Sequence, residues 1–414
     1  MTVAHPNTAG PATTTAAVPW AMPWEQARTL ASACVRQPLP VVTRPLGDAL
    51  GHALAEPLTA LTDLPPFDTS AMDGWAVAGP GPWRTGGAAV LAGDHSGFLD
   101  HGTAVPIATG ARVPEGATAV LRREHGTVDA GGDLLHLHPA GPEPGRDIRP
   151  RGQECHAGEP LIPAGTTVTA AVLGLAAAAG YDRLAVHCRP TVELLVLGDE
   201  LLESGVPRDG RVRDALGPLL PPWLLSCGAE TVSRRAVADD PGLLREAVRH
   251  SAADIVVTTG STAAGPVDFL HDTLHDLGAR LLVDSVAVRP GHPMLLAELP
   301  PTADGRARRL VGLPGNPLAA VASTVTLAAP LLRRLGGHAD GEPCRVRAAA
   351  ALPGHPRDTR LLPVLRTDHG VAPLPFDGPA MLRGLVLADG LAVVPPGGAL
   401  PGATVEVLDV PRRA

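Results

Sequence analysis

Between Thr191 and Gly337 the chain alternates apolar runs of strand length with longer runs of helical spacing, and few folds accommodate that order. TVELLVLG (191–198), DIVVTTG (254–260), ARLLVDSVAV (279–288) and RRLVGLPG (308–315) read as buried strands. PGLLREAVRHSAA (241–253), FLHDTLHDLGA (269–279) and NPLAAVASTVTLAAPLLRRLGG (316–337) read as the helices between and after them. Short links between such elements predict an α/β domain built on a doubly wound, mostly parallel sheet. In the stretch 211–223, Pro221 and Pro222 cannot continue a helix unkinked, so the helix there is expected to start only near Trp223.

The rest of the chain is of a different kind. Residues 1–22 are rich in Ala, Thr and Pro and predict a disordered tail. PWEQARTLASACVR from Pro23 predicts a helix, with apolar positions at Ala27, Leu30, Ala31 and Cys34. Residues 76–165 hold short apolar runs separated by Gly and Pro, which predicts a small β domain, and TAAVLGLAAAAG predicts a helix after it. Residues from about 340 return to short strands and turns, as in a small β barrel. At 414 residues the chain exceeds what one core supports, so two to four domains are expected. Only 2 % of residues are aromatic, so the cores must be built from Ala, Val and Leu.

Charge and cysteine usage exclude several classes. The net charge is −8 with no basic stripe, which argues against nucleic acid as the main ligand. All 34 basic residues are arginines, because the sequence contains no lysine. The five cysteines are far apart with no CxxC pair, which fits a reducing compartment and neither a disulfide framework nor a zinc ribbon. No apolar run reaches the roughly 18–20 residues of a membrane span, and the start lacks the pattern of a secretory signal, so a soluble cytoplasmic protein is expected.

In a doubly wound sheet, ligands bind outside the carboxyl ends of the strands. There the sequence places Asp199 and Glu200, then Gly260, Ser261, Thr262, Gly265 and Asp268 in one loop, and Pro314, Gly315, Asn316 and Pro317 in another. GRVRD adds Asp214. Small and hydroxyl residues in strand-to-helix loops can donate to phosphate, and Glu200, Asp214 and Asp268 can hold a hard cation that also binds phosphate. The conjunction points to a Mg²⁺-assisted reaction on a phosphorylated or nucleotidyl substrate. Taken singly, Asp214 and Asp268 are better explained as ordinary helix caps, and the 16 histidines read as surface or satisfied core residues.

LPPFDTSAMDGWAV (64–77), IATGARVPEG (107–116), DIRPRGQE (147–154), LGDEL (197–201), RVRDALG (211–217), GPVDFL (265–270), RPGHP (289–293) and VGLPGNP (311–317) together resemble the molybdopterin molybdenumtransferase (MoeA) family, which includes the gephyrin E domain. They lie in the family's order and cover nearly the whole chain. The resemblance implies a helical linker over 23–189 that carries an inserted β domain at about 76–150. It further implies a molybdopterin-binding α/β domain over 190–338, a β-barrel domain over 339–414, and a homodimer whose cleft is shared between subunits. It implies catalytic acids at Asp73, Glu200, Asp214 and Asp268, with Mg²⁺ held by Asp214 and Asp268. Contacts to the pterin nucleotide are implied for Thr109, Glu154, Gly260, Ser261, Thr262, Gly265 and the Pro314–Pro317 loop.

The implied substrates are molybdopterin adenylate and molybdate, joined with release of AMP, and no residue is singled out as general base. Molybdopterin adenylyltransferase and molybdoenzyme chaperones are implied as protein partners; nucleic acid and membrane are not. The family's two lysines at the molybdate end are Arg289 and His292 here, a further lysine is Ser285, and a C-terminal arginine is either Arg357 or Arg360. In the pterin loop Ser261 replaces a glycine and Ala263 a serine. These departures motivate two rivals, a pterin-binding scaffold without metal insertion and a Mg²⁺-dependent nucleotide-pyrophosphate hydrolase.

Overall fold

The computed structural model describes residues 21–94, 97–137, 141–262 and 269–411. The chain divides into two compact units, one of residues 41–187 and one joining the segment up to residue 40 with residues 188–414. The tail expected over 1–22 lies outside the described residues up to position 20. Its end is ordered: Met22 and Pro23 pair in parallel with Val286 and Ala287.

The larger unit is organised by a six-stranded sheet. Glu230–Val237, Thr191–Leu197, Ile255–Thr259 and Arg308–Leu313 are parallel neighbours in that order, followed by antiparallel Leu295–Leu299 and then Arg280–Asp284. The central strands are buried at nearly every position because both faces are covered, and the Glu193 carboxylate among them is met by Arg235 of the neighbouring strand. Leu194, Val196, Val257 and Val311 pack with the helices Leu216–Ser226 and Pro317–Ser323, while Leu195, Leu197, Val256 and Leu310 pack with Pro241–His250 and Leu270–Asp276. Helix Pro241–His250 starts on the Asp240 side chain, and the Arg308 guanidinium accepts its closing role by donating to the carbonyls of Val248, Arg249 and Ser251.

Three expectations are corrected here. The helix after Asp214 begins at Leu216, not near Trp223, despite Pro221 and Pro222 inside it. Burial of Leu216, Leu220, Trp223 and Leu224 in the main core outweighs the two backbone bonds the prolines forgo. Residues 279–288 are not one strand. Ser285 adopts φ 68 and breaks the run, so Arg280–Asp284 stays in the α/β sheet and Val286–Arg289 joins a different one. Finally, the helical run Pro317–Leu335 does have the length and apolarity of a membrane span, but 78 % of it is buried in the protein. It is a core helix, widened to π geometry over Thr324–Ala328, where Trp24 Nε1 donates to Thr326 Oγ1 at 3.0 Å.

Val286–Arg289 pairs with Thr359–Thr367, at the edge of the C-terminal sheet. In that domain Gly370–Pro373, Thr359–Thr367, Gly390–Val394, Thr404–Leu408 and Arg345–Arg347 pair in sequence, and a bridge from Ala348 back to Val371 closes the ring. Its interior is filled by Leu362, Val364, Val371, Ala392, Val394, Val405 and Val407.

In the unit 41–187, Val41–Pro45 pairs with Arg183–His187 beside helix Ala170–Ala178, and a separate six-stranded sheet runs from Gly74 to His136. Strand alternation splits its core: Val77, Leu121 and Leu134 face one side, Ala76, Ile107 and Val120 the other.

Candidate functional site

In the unit 41–187, three of the motifs fold onto one another. Thr69–Ser70 pairs with Ile148–Arg149, and the Ser70 N–H donates to Ala111 O at 2.9 Å while Gly110 N–H donates to Ser70 O at 2.8 Å. The Arg151 N–H donates to Asp68 Oδ1 at 2.7 Å, and Arg122 holds the Asp147 carboxylate through Nε at 2.8 Å. This scaffold presents Asp73 at the surface, on the turn into Gly74–Val77. Gly74 is required there, since a Cβ would lie 1.9 Å from Leu121 O. The backbone N–H and the hydroxyl of Thr109 both donate to Asp73 Oδ1, at 2.7 and 2.8 Å. These two bonds hold the Asp73 carboxyl below the usual carboxylate range and leave Oδ2 for another partner. Glu154 is exposed nearby in sequence to this scaffold, anchored by its own N–H to Leu64 O at 2.8 Å.

In the larger unit, the chain runs from the strand Thr191–Leu197 to a neighbour on one side, Glu230–Val237, and then to one on the other, Ile255–Thr259. That reversal opens a crevice at the carboxyl ends. Register puts Val196 beside Thr259 and Thr259 beside Leu313, so the loops starting at Gly198, Gly260 and Pro314 adjoin. Gly260 N–H donates to Leu313 O at 2.8 Å, and a Cβ on Gly315 would meet Gly260 Cα at 3.8 Å. Ser261 adopts φ 53, the left-handed region where a glycine is cheaper. Thr262 is buried, its methyl under Gly312. Glu200 is exposed and lies over Gly198. Gly265, Asp268 and Ala263 lie outside the described residues.

One of the predicted carboxylates is already committed. Asp214 is buried, its Oδ1 accepts the Gly217 N–H at 2.8 Å, and its Oδ2 faces Arg234 Nη2 at 3.9 Å. It therefore caps the helix that follows, as its position before a helical stretch allowed. Asn316 starts the core helix without a side-chain cap, and the Pro379 carbonyl instead accepts the N–H groups of Leu318 and Ala319, at 2.9 and 3.1 Å. Among the described residues no three His, Cys, Asp or Glu side chains cluster to hold a metal ion.

Next to the Pro314 loop lies a cavity of about 560 Å³, and its lining includes Arg289, His292, Pro314, Asn316, His355, Arg360 and Asp377. Four chain segments meet there, and Val286–Arg289 leaves the α/β sheet to pair with Thr359–Thr367, which places Arg289 beside Arg360 in register. Arg289 Nε donates to Asp358 Oδ2 at 2.8 Å, and Arg360 Nη2 donates to Asp377 Oδ2 at 2.7 Å. Arg357 is exposed and is not among the lining residues. His292 Nδ1 is 2.9 Å from Val286 O. His355 was not singled out by sequence reasoning, although a signal existed: the tetrapeptide PGHP occurs at 290–293 and again at 353–356. Both copies line this cavity.

Comparison with known proteins gives a consistent picture. Family models match residues 22–180 as the MoeA N-terminal region (domain I and II), 193–334 as a probable molybdopterin binding domain, and 345–410 as the MoeA C-terminal region (domain IV). Molybdopterin molybdenumtransferase 2 of Mycobacterium tuberculosis is 32 % identical over 380 residues, covering 86 % of this chain and 91 % of that protein. A molybdopterin molybdenumtransferase of Nostoc sp. is 33 % identical over 313 residues, 72 % of this chain and 70 % of that one. Two crystal structures of the molybdopterin biosynthesis MoeA protein from Pyrococcus horikoshii superpose over 94 % of this chain with TM-scores of 0.70 and 0.74, at 25 % and 21 % identity, covering 99 % and 100 % of those chains.

Proposed function

The chain belongs to the MoeA family, and we propose that the cavity around Arg289, His292 and Arg360 is where it presents molybdate to a bound molybdopterin nucleotide. It is a transferase of molybdenum-cofactor biosynthesis, a molybdopterin molybdenumtransferase. The observation that carries the site assignment is the convergence of two arginines and two imidazoles with Pro314 and Asn316 of the strand-end loop in one cavity. A tetrahedral dianion suits such a lining, because guanidinium groups offer paired N–H donors.

In this reading the adenylylated pterin lies along the carboxyl ends of the sheet, against Gly260, Ser261, Thr262, Gly265 and the Pro314–Pro317 loop. Asp214 and Asp268 would hold Mg²⁺ at its pyrophosphate, whose oxygens would complete the coordination. That fits the donors present, since Mg²⁺ commonly takes one or two carboxylates with substrate phosphates and waters, and Asp214 has one oxygen not bonded to the Gly217 amide. Asp268 would supply the second carboxylate and Glu200 a charge at the rim. When bound, Mg²⁺ neutralises the pyrophosphate and eases release of AMP. Asp73, oriented by Thr109, offers a fixed carboxylate oxygen to the same reaction, and Glu154 would contact the pterin nucleotide.

Asp73 reaches the reaction across a homodimer, in which the unit 41–187 of one subunit completes the cleft of the other. Light scattering on the intact chain tests the dimer, and a monomer at micromolar concentration refutes it. The enzyme works in the cytoplasm, where its five free cysteines stay reduced. A molybdopterin adenylyltransferase supplies the substrate and molybdoenzyme chaperones take the product. The deciding assay is AMP release with and without molybdate across a Mg²⁺ titration. Molybdate-dependent release supports the transferase; release that ignores molybdate indicates a pyrophosphate hydrolase, and none a scaffold.

A further inference from the structure

Resting on the oxyanion reading of this cavity, we infer that His292 and His355 divide molybdate recognition between them, one as a donor that requires protonation and the other as a donor that does not. The two rings are held in opposite tautomers by backbone. His292 Nδ1 lies 2.9 Å from Val286 O, a carbonyl that can only accept, so Nδ1 carries the hydrogen. The neutral ring then has a bare lone pair at Nε2, which repels an oxyanion, and only the imidazolium offers Nε2–H. His355 is the reverse. Its Nδ1 accepts the N–H groups of Asp358 at 3.0 Å and Arg357 at 3.4 Å, so Nδ1 carries no hydrogen and the neutral ring donates from Nε2. In that neutral ring no proton lies between Nδ1 and the Asp358 carboxylate 3.3 Å away.

The surroundings add no net charge to what the imidazoles offer. Each arginine on the wall is matched by a carboxylate, Arg289 by Asp358 and Arg360 by Asp377, so the charged groups that face the histidines cancel formally. Arg360 spends a further N–H on Pro353 O at 3.3 Å. The helix beneath the His292 loop meets Gly291 with Ala319 O and Ser323 Oγ, neither of which titrates in water. The His355 loop is fixed in place, with Gly397 N–H donating to His355 O at 2.9 Å and Gly354 packed on Gly398 too closely for any Cβ. In a chain without lysine, a neutral N–H donor and a switchable one stand where permanently charged side chains would otherwise serve.

Asparagine separates the two edges of each ring, because its amide can occupy the Nδ1 position and nothing reaches Nε2. His355→Asn keeps an acceptor for the Arg357 and Asp358 amides, and His292→Asn keeps a donor for Val286 O. Molybdate binding to the intact chain is measured by calorimetry from about pH 6 to 8.5, across the imidazole range. Because only the imidazolium of His292 donates from Nε2, wild type should lose affinity as pH rises. His292→Asn should bind more weakly at low pH and show no such slope. His355→Asn should bind about tenfold more weakly at every pH, the loss of one hydrogen bond to a charged acceptor, with the slope kept. A His355→Asn curve that superposes on wild type overturns the inference. If both variants match wild type while Arg289→Ala abolishes binding, the division of labour is wrong and the oxyanion site stands. Absence of binding in wild type removes both. ¹⁵N shifts of the wild-type imidazoles check the tautomers directly, and matching tautomers in the two rings also overturn the inference.

Discussion

Replacing Asp214 separates its structural duty from its chemical one. The carboxylate is 6 % exposed, accepts the Gly217 N–H at 2.8 Å, and faces Arg234 at 3.9 Å. Asp214→Ala leaves a buried helix-terminal N–H without a partner, which costs about 1–2 kcal/mol by the measured range for lost caps. For a unit of this size that corresponds to a fall in Tm of roughly 2–4 °C per kcal/mol. The Arg234 contact adds little, being long and reaching a half-exposed guanidinium. Asp214→Asn keeps an oxygen in place for the Gly217 amide, so its stability should stay within about 0.5 kcal/mol of wild type. Its charge is gone, however, and its affinity for Mg²⁺ with the pterin nucleotide should drop. The two variants are compared by urea denaturation and by molybdate-dependent AMP release over a Mg²⁺ titration. An alanine variant as stable as wild type refutes the capping argument. An asparagine variant with an unchanged Mg²⁺ curve removes Asp214 from the catalytic set and leaves it a cap.

Three further outcomes are expected. Thr109→Val deletes the hydroxyl donor to Asp73 while keeping the amide, so the Asp73 carboxyl, held low in the wild type, should titrate at higher pH, and the acid limb of activity should move up with it; ¹³C carboxyl shifts that do not move contradict this. Gly74→Ala forces a Cβ against Leu121 O and should destabilise the unit 41–187 by about 1–3 kcal/mol, read as a lower melting temperature with reduced activity through displaced Asp73. The Cys227 thiol is pushed up to about 11 by burial, so at pH 8 it should resist iodoacetamide while exposed Cys344 reacts, and peptide mapping that finds both labelled at similar rates refutes the assignment.

Much of the candidate site is local enough to be written in the sequence. LPGNP follows a strand and opens a helix, so Asn316 could be singled out from the residues themselves, whereas Asp73 in SAMDG and Thr109 in TGA were singled out through the resemblance of those short motifs. The strand runs 191–198, 254–260 and 308–315 were equally legible, since a strand covered on both faces keeps few polar positions. Glu230–Val237 escaped notice for the opposite reason. It is an edge strand with Glu230, Arg234 and Arg235 on it, and Arg235 finds Glu193 only across the sheet. Leu295–Leu299 was hidden because nothing local distinguishes an antiparallel insertion from the chain around it.

What the sequence determined by itself was the class of fold and the short motifs, because both depend on residues close together along the chain. What only tertiary structure decided was which motifs share a wall. Pro221 and Pro222 sit in a helix because the core behind Leu220 and Trp223 holds them there. Ser285 breaks one apolar run in two because its halves have partners in different sheets. Arg360, His292 and His355 come together because Val286–Arg289 crosses to the C-terminal sheet, and the ring edge each histidine offers is set by a backbone group that local spacing does not reveal. Pairing between distant segments is a property of the packed chain, and the chemistry of this cavity is written in that pairing.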